Sequence, residues 1–171
     1  METRKQMMVS RMESRRKKIL FPIFFLLITF AITAVIYCIF AAYRPPKHDL
    51  NAVVGIPNPE ESYLYGTVET EYGYSISMAA NLYRQENGEI KTYYTNPLNN
   101  SCYLRYELID SDTKKILHST GFIKQGEYVE AIKDKRIKNK KYNITVRVYA
   151  YDPDNFTSCG TTDLKLLLQP W

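Results

Sequence analysis

The sequence predicts a mainly β protein, an antiparallel two-sheet sandwich of seven or eight strands, with a small barrel as the alternative, preceded by one transmembrane helix. Three observations carry this expectation. From Ile19 to Tyr43, 25 residues run without a charge, ILFPIFFLLITFAITAVIYCIFAAY; as a helix rising about 1.5 Å per residue this exceeds the roughly 30 Å hydrocarbon core of a bilayer. After residue 62 the apolar residues recur with period two in short segments rich in Tyr, Ile, Val and Thr, the pattern of half-buried strands. These segments follow one another closely with turn residues between them, and no soluble helical period intervenes.

The apolar segment sets the frame for the rest. Pro22 sits in its first turn, where a missing N–H is harmless. Residues 1–18 carry seven Lys/Arg against two acids, whereas residues 44–171 carry sixteen of each, so the whole net charge of +5 belongs to the tail. Arg15, Arg16, Lys17 and Lys18 abut the apolar run, and such a bias orients a helix with its basic flank in the cytoplasm. The segment is too long for the apolar region of a cleaved signal and reads as an uncleaved signal anchor. The expected organisation is a basic cytoplasmic tail over 1–18, a transmembrane helix over 19–43, a Pro-containing stalk over 44–62 and a β-sandwich over 63–171. The domain then lies outside a cell membrane crossed once, with the bilayer itself as one partner.

In order, Tyr72, Tyr74, Ile76 and Met78 share a face of a strand continuing toward Tyr83, and Asn87-Gly88 supplies a hairpin turn back to Ile90–Tyr94. Asn96-Pro97-Leu98-Asn99-Asn100 is a turn. Cys102, Leu104, Tyr106 and Leu108 alternate with Tyr103, Arg105 and Glu107, and Asp110-Ser111-Asp112 closes that strand. Short strands follow at Ile116–Ser119 and Tyr128–Ile132; Tyr142, Ile144, Val146, Val148 and Ala150 form the most regular inward face, and Leu164, Leu166 and Leu168 the last.

The run from Ile137 to Val148, with an apolar residue five positions before Tyr142 and an alternating strand after it, resembles the penultimate strand of immunoglobulin-like and fibronectin-type domains. Together with NPLNNSCYLRYEL, STGFIKQGEYV, YAYD and GTTDLKLLL, residues 72–168 look like the single immunoglobulin-like ectodomain of small membrane-anchored bacterial envelope proteins. That resemblance implies the immunoglobulin-like variety of sandwich and brings no active site with it.

The candidate sites are surfaces. His48 and His118 are the two histidines, and neither adjoins a nucleophile or ligand pattern, so the reading is a binding protein and not an enzyme. Cys102 and Cys159 are a candidate disulfide in an exported domain, with free thiols as the alternative. Asp152 and Asp154 put oxygen ligands in one turn, where calcium competes with ordinary turn capping; no other cofactor is expected. Lys133, Lys135, Arg136, Lys138, Lys140 and Lys141 form a basic run suited to an anionic wall polymer, or a solvated loop. Nucleic acid is not expected, for no base-stacking motif adjoins the lysines. Thirteen of the fifteen tyrosines follow Arg44. Tyr63, Tyr65, Tyr93, Tyr94, Tyr149 and Tyr151 are the candidates for an exposed face that binds other envelope proteins. The two functions to separate are thus a protein-interaction module within an envelope assembly and a binder of anionic wall polymer or polysaccharide.

Overall fold

The computed structural model describes residues 25–38 and 47–170. The chain divides into two compact units, Met1–Pro45 and Pro46–Trp171. In the first unit, residues 25–38 are helical. Thr29 donates its hydroxyl to the Leu26 carbonyl (2.9 Å) and Thr33 to those of Thr29 and Phe30 (3.0 and 2.9 Å), so both polar groups are satisfied by their own helix. Among the described residues no helix is long and apolar enough to cross a membrane. The rest of the expected 19–43 span, and Arg15, Arg16, Lys17 and Lys18, lie outside the described residues.

The second unit is mainly β, with ten strands in two five-stranded sheets: β1 (Val53–Val54), β2 (Tyr65–Glu69), β3 (Ser75–Ala79), β4 (Asn81–Tyr83), β5 (Glu89–Asn96), β6 (Tyr103–Asp110), β7 (Ile116–Ile123), β8 (Glu127–Lys133), β9 (Tyr142–Tyr151) and β10 (Ser158–Gln169). The first sheet runs β1-β8-β5-β3-β2 and the second β4-β10-β9-β6-β7. Every neighbouring pair is antiparallel except β4 and β10, which are parallel.

Alternation builds the core. On β6 and β9 the even-numbered residues are buried: Leu104, Tyr106 and Leu108, and Tyr142, Ile144, Val146, Val148 and Ala150. They meet Ile76, Met78, Ile90, Tyr94, Val129 and Ile132 of the first sheet in one cluster. Tyr94 and Tyr106 stack across the core with centroids 4.3 Å apart. Tyr106 donates its hydroxyl to the Thr95 carbonyl (2.8 Å), whereas the Tyr94 hydroxyl has no partner among the described residues. Burial pushes both phenols above their ordinary value. At one end the buried Asn96 donates to the carbonyls of Cys102 and Ile123 (both 2.9 Å), and Asn100 donates to Asn96 and Ser75 (both 2.7 Å). The NPLNN turn therefore ties the sheets together, satisfying carbonyls that burial would otherwise strand.

Two local departures from the expected pattern matter. The strand expected to run from Tyr72 to Tyr83 breaks at Ala80, whose N–H bonds to the Leu64 carbonyl (3.3 Å), and the chain changes sheets, leaving β3 and β4 as separate strands. The expected 44–62 stalk also needs correction, for much of it belongs to the sandwich. Phe122 N–H donates to the Lys47 carbonyl (2.9 Å), Asp49 N–H to the Phe122 carbonyl (3.0 Å), and Gly121 N–H to the Asp49 carboxylate (2.7 Å). Gly121 permits this approach: a β-carbon there would lie 2.4 Å from the Lys47 carbonyl oxygen. Val53–Val54 then adds an edge strand to β8, and Tyr63 is buried.

Candidate functional site: the aromatic outer face of the second sheet

The same alternation that fills the core sends Tyr103, Arg105 and Glu107 of β6, and Arg147, Tyr149 and Tyr151 of β9, to the opposite face. Register sets Phe122 of β7 beside Arg105, Arg105 beside Tyr149, and Tyr103 beside Tyr151. Tyr103 and Phe122 stack at 4.9 Å with an interplanar angle of 10°. Phe156 lies 6.1 and 5.6 Å from them, His48 lies 5.3 Å from Phe122, and Tyr149 and Tyr151 are 6.3 Å apart. All six of these side chains are half-buried.

The patch is held firmly. Phe156 has φ +56°, a left-handed conformation that costs a non-glycine residue on the order of 1–2 kcal/mol. The Asp152 carboxylate imposes it, accepting the N–H groups of Asp154 (2.9 Å) and Asn155 (3.1 Å), while Phe156 N–H donates to the Asp152 carbonyl (3.0 Å). His48 Nε2 lies 2.7 Å from Glu127 Oε2. Beside the rings, Arg105 donates Nη2–H to Glu107 Oε1 (2.7 Å) and Ser119 Oγ (2.6 Å), and Tyr149 donates to Glu107 Oε2 (2.9 Å). The Arg105 guanidinium lies over the Tyr149 ring at 5.5 Å. Glu107 is only 6% exposed although it points away from the core, because these neighbours enclose it. Arg147 meets Asp163 through two 2.8 Å bonds. That pairing holds the Asp163 carboxyl below its ordinary value and the arginine above its own, and burial followed by the Glu107 contact raises the Tyr149 phenol. Each arginine is matched by an acid, so the face is close to neutral.

Of the tyrosines expected on an exposed face, Tyr149 and Tyr151 lie here. Tyr63, Tyr93 and Tyr94 are buried, at 9, 8 and 1% exposure, which corrects the expectation for those three. For Tyr93 the physical reason is a bulge in β5 between Lys91 and Tyr94, with Tyr93 at φ +49°. Tyr94 reaches the core stack, and Tyr93 packs edge-to-face on Tyr63 (5.5 Å) and Tyr65 (6.4 Å). Tyr63 also meets Tyr83 edge-on, and Tyr65 donates its hydroxyl to Thr95 (3.0 Å). Much of the tyrosine excess is structural packing. The alternation of β6 marks Tyr103, Arg105 and Glu107 as outward-facing, and the fold gathers them into this patch. Phe156 and His48 carry no local signal, since only the fold brings them to Phe122.

Cys102 and Cys159 carry free thiols, a correction to the candidate disulfide. Tyr103 and Ser158 pair with Tyr151 from opposite sides, so β9 lies between the two cysteines. Two interstrand steps of about 4.8 Å put their backbones about 10 Å apart, past the roughly 7 Å reach of a disulfide. Burial first, then the Cys159 charge, pushes the Cys102 thiol up to about 11. Asp152 is occupied with turn capping, and among the described residues no group of three or more His, Cys, Asp or Glu side chains comes together.

The basic run lies at the opposite end of the sandwich from residues 47–49. Lys133 ends β8, and Lys135, Arg136, Lys138, Lys140 and Lys141 are exposed on the loop to β9. Arg136 is engaged with Asp134 (Nε 2.9 Å, Nη2 2.7 Å), which holds that carboxyl well below its usual range. Compared with known proteins, the chain matches no family model, no curated protein and no solved structure.

Proposed function

We propose that the chain is a membrane-anchored, extracytoplasmic interaction module that binds a protein partner through the outer face of β7, β6 and β9, as one component of an envelope-associated assembly. The observation that carries this reading is the strained Phe156, held against Tyr103 and Phe122 beside a prearranged Arg105–Glu107–Tyr149 cluster. Rigid aromatic area with polar tips and arginine is what protein interfaces concentrate. A polysaccharide fits this face less well. Sugars need a free ring face, whereas Tyr103 and Phe122 cover each other and Arg105 covers Tyr149. The near-neutral charge likewise gives an anionic polymer no hold here.

The finer fold reading is immunoglobulin-like. It draws support from the parallel pairing of β4 with the last strand and from the Tyr142 hydroxyl, which accepts the Lys138 N–H (3.0 Å) in the manner of a tyrosine corner. The membrane reading rests on the uncharged 19–43 segment and its basic flank, with support from the helix over 25–38, whose threonines bond within it. Co-purification of the full chain from its native membranes tests the reading. Tyr151→Ala and Phe156→Asn are expected to lose the partner together while Tyr65→Ala keeps it; equal recovery by all three rejects this face.

A further inference from the structure

The basic run is longer in space than in sequence. Ser111 N–H donates to the Asn143 carbonyl (2.8 Å), Ser111 and Thr145 share a hydroxyl contact (2.8 Å), and Asn143 reaches the Asp112 carboxylate (3.4 Å). These contacts bring the turn between β6 and β7, with the exposed Lys114 and Lys115, beside the loop that carries Lys138, Lys140 and Lys141. The Asp110 carboxyl is held below its ordinary value mainly by Thr113, and the Lys140 charge adds to this. None of Lys114, Lys115, Lys133, Lys135, Lys138, Lys140 and Lys141 forms an ion pair among the described residues. Of the neighbouring acids, Asp134 is neutralised by Arg136, whereas Asp112, bonded to Asn143, and Asp110, bonded to the N–H groups of Asp112 (2.9 Å) and Thr113 (3.2 Å), keep their charge and are outnumbered by the seven lysines.

We propose that the 111–115 turn and the 133–141 loop form one composite site for an extended polyanion, a linear polymer with an anionic phosphate or carboxylate on each repeat. Protection of a strand edge would require charge on the edge itself. These lysines instead crown the end of the sandwich from two stretches far apart in the chain. The loop has a fixed base, since Ile137 is buried at 2% exposure and Lys138 N–H is held by Tyr142. Lysine ammoniums are compact point charges that accept any anionic oxygen, and the one arginine is engaged, so selection follows charge density and not a particular headgroup shape. The end concerned is the one away from residue 47. Tyr142 lies seven residues along β9 from Tyr149, which is level with Phe122, or about 23 Å at 3.3 Å per residue. The site is independent of the aromatic face, and either can fail alone.

The test uses the full chain in detergent micelles, with immobilised polyphosphate and polyglutamate as anionic probes, dextran as the neutral one, and phosphatidylglycerol vesicles as the lipid arm. The expected result is retention on either polyanion that falls steeply with salt and none on dextran; the two arms report whether phosphate or carboxylate is preferred. Each lysine near an anionic surface contributes about a fivefold affinity factor. Lys114→Glu/Lys115→Glu is therefore expected to weaken binding at least about 25-fold, comparably to Lys138→Glu/Lys140→Glu. The neutral Lys114→Gln/Lys115→Gln pair, with an unchanged melting temperature, guards against misfolding and should still weaken binding. Retention unaffected by the turn substitutions, equal retention on dextran, or binding to vesicles without binding to either polymer overturns the proposal.

Discussion

Tyr94 and Tyr106 show at the residue scale how one side chain can be worth opposite things in the same stack. Both rings are fully buried and face each other, but among the described residues only the Tyr106 hydroxyl has a partner. Removing a satisfied buried donor leaves the Thr95 carbonyl stranded, whereas removing an unsatisfied one relieves a desolvation cost. Tyr106→Phe is expected to lose about 1–2 kcal/mol of unfolding free energy and Tyr94→Phe to be neutral or to gain up to about 1 kcal/mol; urea unfolding of the two variants decides it. Phe156 poses the complementary case. Asparagine tolerates the left-handed conformation, so Phe156→Asn trades ring packing for relief of strain and should hold stability within about 1 kcal/mol. A larger loss would mean that the ring is there to support the fold and not to meet a partner.

Among the elements, the least expected is the segment of residues 47–54, which caps the β7 edge and adds β1 to β8. Gly121→Ala would drive a β-carbon to 2.4 Å from Lys47 and 2.5 Å from Asp49. The segment must then lift, at about 2–4 kcal/mol, and proteolysis ahead of Gly55 should quicken. The neighbouring edge carries a pH response. Burial depresses the His118 imidazole below its ordinary 6.5, against the smaller pull of Asp134 (3.6 Å) and Asp49 and with a small push from Arg136. A base depressed by folding contributes stability above its ordinary value and loses it as the pH falls through 6.5. From pH 8 to 5.5 the melting temperature should fall further for the native chain than for His118→Gln, and parallel curves would contradict this. These elements also mark where sequence reading stops. Strict alternation in β6 and β9 made their inward faces legible. It failed for β10, which begins at Ser158, ahead of its leucines, where a register shift falls between Ser158 and Gly160. It failed too at Tyr93, where the β5 bulge and a φ of +49° bury a second tyrosine next to Tyr94. Residues 47–54 read as stalk because Pro45-Pro46 and Pro57-Asn58-Pro59 flank them and their charges are local, while their partners at Gly121, Phe122 and Tyr128 are more than 70 residues away.

For the molecule as a whole, two surfaces of different chemistry lie at different places on one sandwich. A near-neutral aromatic face sits on the second sheet toward the end where residues 47–49 join, and a lysine crown sits at the other end. The crown was half visible in the sequence as the 133–141 run, and Lys114 and Lys115 join it only through the fold. The aromatic face was visible only as Tyr149 and Tyr151, because its other members come from β6, β7, the loop after β9 and the entry segment. Electrostatic steering belongs to the crown and is screened by salt, with a decay length of about 10 Å at 0.1 M; packing at the aromatic face is not. Binding of a protein partner is therefore expected to be nearly insensitive to salt between 0.05 and 0.5 M, and a steep fall would move that partner to the crown.

Photo-crosslinking mapped over the surface of the full chain in cells tests the central claim most directly. A photoreactive amino acid placed in turn at Tyr151, Tyr103, Thr67 and Lys135 should give one discrete adduct from Tyr151 and Tyr103, lost when Phe156→Asn is added, and none from Thr67 on the other sheet. The same adduct in equal yield from all four positions, or from Thr67 alone, would contradict the assignment of the outer face of the second sheet as the binding surface.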